Sequence, residues 1–271
     1  MNKSYEKFKQ ALLDATHYDR KIEPNKKVFS ASMLGNQKLQ NYLQITIGAG
    51  SDKTEVDAST LGSLVHTAIK QAAQARNKFM KITYLPEHRF SHTLENGWTI
   101  TGSIDLIDHE YNTIFDHKVT NTKSIIKIKK EGKDHPYALQ LGVYKWLLSK
   151  ESDIEYKSVI TAFDKQASKF NQESLDMLQF IPIDTYSPEE IEKLLTAATD
   201  DLVTYMETSA EPAQCDTKSL MWYKKPGTDK SVPMRCKFFC SYKLVCPYYS
   251  IKGELMQGMG IKKYYKKKIK K

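Results

Sequence analysis

Residues Arg89 to Val119 read RFSHTLENGWTITGSIDLIDHEYNTIFDHKV. Three runs rich in β-branched, aromatic and aliphatic residues lie in this stretch: Arg89 to Leu94, Trp98 to Ile107 and Thr113 to Val119. Asn96-Gly97 separates the first two. Such a pair between two runs signals a hairpin, because a type I′ turn needs positive φ at both central residues. A short turn at His109 to Asn112 leads to the third run, so a three-stranded meander is predicted. Side chains two apart in a strand share a face. Asp116 and Lys118 therefore project together, while Phe115, His117 and Val119 face the other way, and the neighbouring strand can bring Asp105 beside the pair.

Upstream, Leu61, Val65, Ala68, Ala72 and Phe79 recur mostly at three- and four-residue steps, which marks an amphipathic helix over Ser59 to Met80 carrying His66. The segment before it, GAGSDKTEVDAS (Gly48 to Ser59), reads as a polar surface stretch, and the first sixty residues as helical and then irregular. Downstream, a polar stretch from Asn121 to Asp134 precedes a helix opened by Pro136 at its first position. Two strand-like runs follow, Tyr156 to Phe163 and Met177 to Ile183. Ser187, Pro188 and Glu190 then form a capping box for a last helix reaching about Met206. Helix, three strands, helix, two strands and helix predict an α/β or α+β sandwich, a central mixed sheet flanked by helices, of which α/β is the class expected. The organisation expected is an N-terminal segment over 1–58, a core over 59–208, a cysteine-containing module over 209–250 and a basic tail over 251–271.

Composition narrows the function classes. Hydrophobic residues make up 40% and charged residues 27% of the 271 positions, which is ordinary globular usage and excludes collagen-like and disordered classes. No run approaches the ~20 apolar residues of a membrane-spanning helix, and Met1 to Gln10 lacks the apolar core of a secretory signal. A cytoplasmic location is expected, the host cytoplasm if the source is a phage. Seven lysines and no acid occupy Lys262 to Lys271, so seven of the nine net positive charges belong to the tail. A lysine block of this kind either binds polyanions with strong salt dependence or merely solubilises the chain end.

Two carboxylates side by side repel unless a cation neutralises them, and hard oxygen donors of this type suit Mg²⁺ or Mn²⁺. Such an ion would polarise a phosphoryl oxygen and lower the pKa of a bound water. Lys118 could orient that water or stabilise charge developing on the phosphate. Phosphodiester hydrolysis is the chemistry these residues suit; the bland alternative is a solvated strand face with ordinary turn carboxylates.

Further motifs accompany the pair in order: LGSLVH (Leu61 to His66), GSID (Gly102 to Asp105), DHK (Asp116 to Lys118) and QLGVY (Gln140 to Tyr144). This series resembles that of the PD-(D/E)XK nuclease superfamily, and most closely its RecB-type branch, which includes phage and CRISPR-adaptation exonucleases. The similarity runs from about Phe29 to Cys246. It implies a restriction-endonuclease-like core. It also implies that His66, Asp105, Asp116 and the backbone carbonyl of His117 are metal ligands, that Lys118 is the catalytic lysine, and that Gln140 and Tyr144 line the cleft. Glu87, in LPEHRF, resembles a glutamate found before the hairpin in such proteins, whereas Gly102 reads as structural, permitting close backbone approach.

Cys215, Cys236, Cys240 and Cys246 give four potential ligands, enough for tetrahedral zinc or a 4Fe-4S cluster. CKFFCSYKLVC resembles the C-terminal cysteine triplet of iron-sulfur RecB-type nucleases, although Cys215 follows the nuclease motifs instead of preceding them and the first gap is three residues. Iron-sulfur, zinc and no metal all remain open. Trp222, Tyr223, Phe238, Phe239, Tyr242, Tyr248 and Tyr249, interleaved with basic residues, either stack bases of single-stranded DNA or pack around the cysteines. The activity implied is that of a divalent-metal-dependent deoxyribonuclease, by family precedent an exonuclease on DNA ends or single strands in recombination, repair or replication, with proteins of those processes as partners. The alternatives are a non-catalytic nucleic-acid-binding accessory protein that keeps the fold, and a metal-stapled interaction module.

Overall fold

A computed structural model describes residues 26–48, 56–79, 84–167 and 176–208, with 212–213, 215, 222–224, 231–233, 240, 242, 246 and 248 nearer the C-terminus. The segment 1–25, Cys236 and the basic tail lie outside the described residues. Among those described, Val28–Gly35 and the stretch from Val56 to Ala197 make one compact unit, while Asn36–Gly48 and the residues from Ala198 onward make a second.

The first unit is built on one mixed sheet. Its strands are β1 (Val28–Ser30), β2 (Tyr84–Thr93), β3 (Thr99–Asp108), β4 (Thr113–Thr120), β5 (Lys157–Asp164) and β6 (Leu178–Pro182). The path β1-β3-β4-β5-β6 carries β2 as an additional partner of β3. β1 with β3 and β4 with β5 are parallel, and the remaining pairs are antiparallel. The meander is therefore present, and β2 starts five residues earlier than the apolar run, passing through Pro86. Proline lacks a donor, and among the described residues β2 bonds to β3 alone, so Pro86 occupies a strand whose other edge has no described partner.

The hairpin between β2 and β3 is closed by a different turn from the type I′ expected. Gly97 N–H donates to the Leu94 carbonyl at 2.9 Å and Leu94 N–H to that of Trp98 at 2.8 Å, which leaves a three-residue loop. Within the loop only Gly97 has positive φ, at 81°. This is the type I turn followed by a left-handed glycine, and the Asn96 side chain supports it by accepting from Trp98 N at 3.3 Å.

The helix carrying His66 is Val56–Phe79; with Lys38–Ile47 as α1, it is α2. The stretch Asn121 to Asp134, expected to be merely polar, contains a helix, α3 (Thr122–Glu131). Asn121 caps it by accepting from Ser124 N at 2.9 Å, and Ile125 and Ile128, one turn apart, are buried under a lysine-rich outer face. α4 (Pro136–Ser149) is the central helix, with Ala138, Leu141, Val143, Trp146 and Leu147 buried. Its Gly142 lies so close to α5 (Pro188–Thr208) that an added Cβ would be 2.7 Å from Ile191 Cδ1. The capping box of α5 forms as expected: Ser187 N–H donates to Glu190 Oε2 at 2.8 Å, and Glu190 N–H to Ser187 Oγ at 3.2 Å.

α4 approaches the sheet just as closely at Gly102 of β3, where a Cβ would meet Leu147 Cδ1 at 2.8 Å and the Tyr144 ring at 3.0 Å. Gly102→Ala should accordingly lower stability by about 1 to 3 kcal/mol, the usual cost of overpacking. Denaturant unfolding measures this, and an unchanged midpoint would show that α4 yields freely.

The second unit contains α1, the part of α5 from Ala198, and a two-stranded sheet of β7 (Trp222–Lys224) with β8 (Ser231–Pro233). Leu39, Leu43 and Tyr242 are buried together, with Tyr42, Ile47, Cys215, Cys240, Cys246 and Tyr248 packed against them. Lys38 pairs with Asp201 at 2.6 Å.

Candidate active site

The strand pairing itself leaves a gap in the β-ladder. β2 follows one edge of β3 over its whole length. β1 and β4 must therefore share the other edge, and they take only Thr99–Thr101 and Leu106–Asp108. Between these two ladders, residues 102–105 of β3 have no strand partner on that edge among the described residues, and β4 pairs beyond Phe115 with β5 and not with β3. Asp105 spans the opening with its side chain, accepting from the backbone N–H of His117 at 2.7 Å through Oδ2. Its other oxygen, Oδ1, is 3.4 Å from His66 Nδ1 on α2.

Asp116, one residue before that amide, is fully buried. Its Oδ2 lies 2.8 Å from Lys118 Nζ, and its Oδ1 accepts from Gln140 Nε2 of α4 at 3.1 Å. Gln140 also donates to the Tyr144 hydroxyl at 2.6 Å. The strand alternation expected for Asp116 and Lys118 thus holds, and Gln140 and Tyr144, four apart, read that face from the helix above.

Electrostatics distinguish the two carboxyl groups. Burial works to raise the pKa of Asp105, but the His66 contact, the Lys118 charge and the His117 amide hold it below the usual carboxylate range. Burial dominates at Asp116 and, reinforced by the Asp105 charge, pushes its pKa up against the attraction of Lys118. Burial also opposes the charge on Lys118, yet Asp116 and its neighbours keep the ammonium above the ordinary lysine range. The Asp105 contact raises His66. Burial lowers His117 to about 4, and its ring packs edge-on against that of His66 with centroids 5.6 Å apart.

Glu87 occupies a place the sequence did not indicate. It lies inside β2, between Pro86 and His88, which pair with Leu106 and Ile104, so it stands opposite Asp105. Its φ is 49°, a left-handed value that costs a non-glycine residue of order 1 kcal/mol or more. Lys70, one turn beyond His66 on α2, donates to Glu87 Oε2 at 2.6 Å. Tyr137, unlike Glu87, carries no motif signal: the Lys118 ammonium stands 4.8 Å from its ring centroid.

Among the described residues no group of three or more His, Cys, Asp and Glu side chains is placed to hold a metal ion. The site instead supplies two carboxylates, with the charge of Asp105 raising the cost of ionising Asp116, beside the backbone of His117. That donor set fits a hard cation such as Mg²⁺, which retains several waters and needs only one or two protein carboxylates. In the second unit, Cys240 Sγ accepts from Gln40 Nε2 at 3.7 Å, and Cys215, Cys240 and Cys246 line the cluster around Tyr242. No helix among the described residues is long and apolar enough to cross a membrane.

Comparison with known proteins follows the same lines. The family model described as the PD-(D/E)XK nuclease superfamily matches residues 72–247. No curated protein matches the sequence significantly. The crystal structure of SSO0001 is similar with a TM-score of 0.51 at 14% identity, covering 88% of this chain and 95% of that one, and speaks for the fold alone. An alkaline exonuclease (LHK-Exo) from Laribacter hongkongensis also matches, with a TM-score of 0.40, 14% identity, and 74% and 95% of the two chains covered. A phage related exonuclease from Haemophilus somnus 129PT matches with a TM-score of 0.35, 14% identity, and 67% and 96% covered.

Proposed function

Because this chain belongs to the PD-(D/E)XK nuclease superfamily, we propose that it is a divalent-metal-dependent deoxyribonuclease that hydrolyses phosphodiester bonds from DNA ends or in single strands. The observation that carries the reading is the convergence of Asp105, Asp116 and Lys118 on one opening in the sheet, with the Asp116–Lys118 pair at 2.8 Å. Asp105, Asp116 and the His117 carbonyl, with His66 beside them, would hold Mg²⁺ or Mn²⁺. When bound, that ion polarises the phosphodiester and lowers the pKa of its water.

The chain's own residues do the rest. His66 and the His117 amide keep Asp105 ionised. Gln140 fixes Asp116 Oδ1 and so sets the plane of the carboxylate. Lys118 is held as an ammonium, which suits it to donate a hydrogen bond to the attacking water or to a phosphate oxygen gaining charge, not to remove a proton. Attack on DNA ends follows the precedent of the RecB-type nucleases that the motif series resembles, and roles in recombination, repair or replication follow from the same precedent.

Digestion of end-labelled single- and double-stranded DNA tests this directly. Cleavage is expected with Mg²⁺ or Mn²⁺ and none with EDTA, with labelled mononucleotides or short products appearing first. Binding of DNA without cleavage in either metal would instead make the chain an accessory binder that keeps the fold.

A further inference from the structure

We infer that Tyr137 is a positioning residue for Lys118, holding the ammonium over the face of its ring. The inference rests on the nuclease reading of the site. Lys118 Nζ has two neighbours that fix it: Asp116 Oδ2 at 2.8 Å, and the Tyr137 ring centroid at 4.8 Å. The second distance lies within the range over which a ring quadrupole attracts a cation. A lysine side chain is a compact charge on a flexible four-carbon stem. With Asp116 alone the ammonium is tethered at one point and can swing about it, whereas a ring face on its flank limits it to one direction.

Tyr137 is itself held. It follows Pro136 in the first turn of α4, its N–H donates to His135 Nδ1 at 3.2 Å, and the His135 ring lies 4.6 Å from its own. Tyr137, Gln140 and Tyr144 recur at three- and four-residue steps and so share one face of α4. That face contacts Lys118 through the first residue and Asp116 through the second. One rigid helix thereby sets both members of the ion pair against each other.

Steady-state cleavage by the full chain tests the assignment. Tyr137→Leu, which keeps apolar bulk but removes the ring, should lower kcat about tenfold, equivalent to about 1.4 kcal/mol, with KM changed less than about twofold. Tyr137→Phe should restore at least half of the rate, because the ring face and not the hydroxyl does the holding. In a Lys118→Ala background Tyr137→Leu should cost nothing further. Equal loss in the Leu and Phe variants, or a full effect of Tyr137→Leu without Lys118, would overturn the assignment.

If Tyr137→Leu does not fold, the ε-CH₂ protons of Lys118 in the wild-type chain decide by NMR. A ring-current upfield shift is expected, and a random-coil position would overturn the assignment. Failure of the nuclease reading is distinguishable: the wild-type chain would then leave DNA uncleaved in both Mg²⁺ and Mn²⁺. Loss of cleavage in Lys118→Ala beside an undiminished Tyr137→Leu would refute the positioning role alone.

Discussion

Lys118→Ala is expected to lose DNA cleavage about 100- to 1,000-fold in the presence of Mg²⁺ while retaining DNA binding, the magnitude typical of removing one group that stabilises transition-state charge. The expectation comes from where the ammonium is held. Its side chain is 21% exposed, so it reaches the opening in the sheet while its charge is anchored by Asp116. It is a cation in a partly dehydrated pocket, where a hydrogen bond to a developing oxyanion is worth more than in water. Binding should survive because affinity for DNA is spread over many phosphate contacts, and deleting one of them changes it little. The measurements are single-turnover cleavage and filter binding in Ca²⁺ or EDTA. A variant that cleaves at the wild-type rate would remove Lys118 from the chemistry and leave the pocket without its charge stabiliser.

Much of this site was legible in the sequence because strand alternation is a strict rule. Asp116 and Lys118 had to share a face, and the neighbouring strand could bring Asp105 alongside. The helix register likewise put Gln140 and Tyr144 together. Other features were not legible, each for a physical reason. The gap between β3 and β4 depends on which strand edges remain unpaired, and nothing in GSIDLID states that β4 leaves β3 after Phe115. The left-handed backbone at Glu87 is a property of the folded sheet, since glutamate has no preference for it. Tyr137 contacts Lys118 across an intervening helix and a 3₁₀ turn, Gly132–Asp134, and α3 itself was masked by lysines that hid the Ile125–Ile128 repeat. The type I′ turn failed because Asn-Gly also fits a three-residue loop, in which only the glycine needs positive φ.

Replacing both members of the buried pair, Asp116→Asn with Lys118→Met, should leave the metal-free protein at least as stable as wild type, whereas each single replacement should weaken it. The two partners do not gain equally from their contact. The ammonium is stabilised by the carboxylate, but Asp116 is fully buried and loses more to desolvation than Lys118 returns, so its pKa rises. Lys118→Met leaves a carboxylate without its counterion, which costs about 3 to 5 kcal/mol for a buried pair, limited here because Asp116 can take up a proton. Asp116→Asn strands the ammonium, but that group is part-exposed and its loss is smaller. In the double variant neither charge is buried, and the asparagine oxygen still accepts from Gln140, so the contact to α4 persists. Exchange of a buried pair for neutral groups of similar volume is commonly neutral or stabilising by about 1 to 4 kcal/mol.

The pH dependence follows with a definite sign. A carboxyl whose folded pKa is raised favours folding below its unfolded value and loses that contribution as pH climbs through the folded one. Any advantage of the double variant over wild type should therefore be largest at neutral pH and shrink as pH falls through the raised folded value towards the unfolded one of about 4. Urea unfolding in EDTA at pH 7 and pH 4.5 measures all four corners of the cycle. Losses that simply add in the double variant would mean that Asp116 and Lys118 do not act on each other, and the pocket would then lack the strained anion that a divalent cation is expected to relieve.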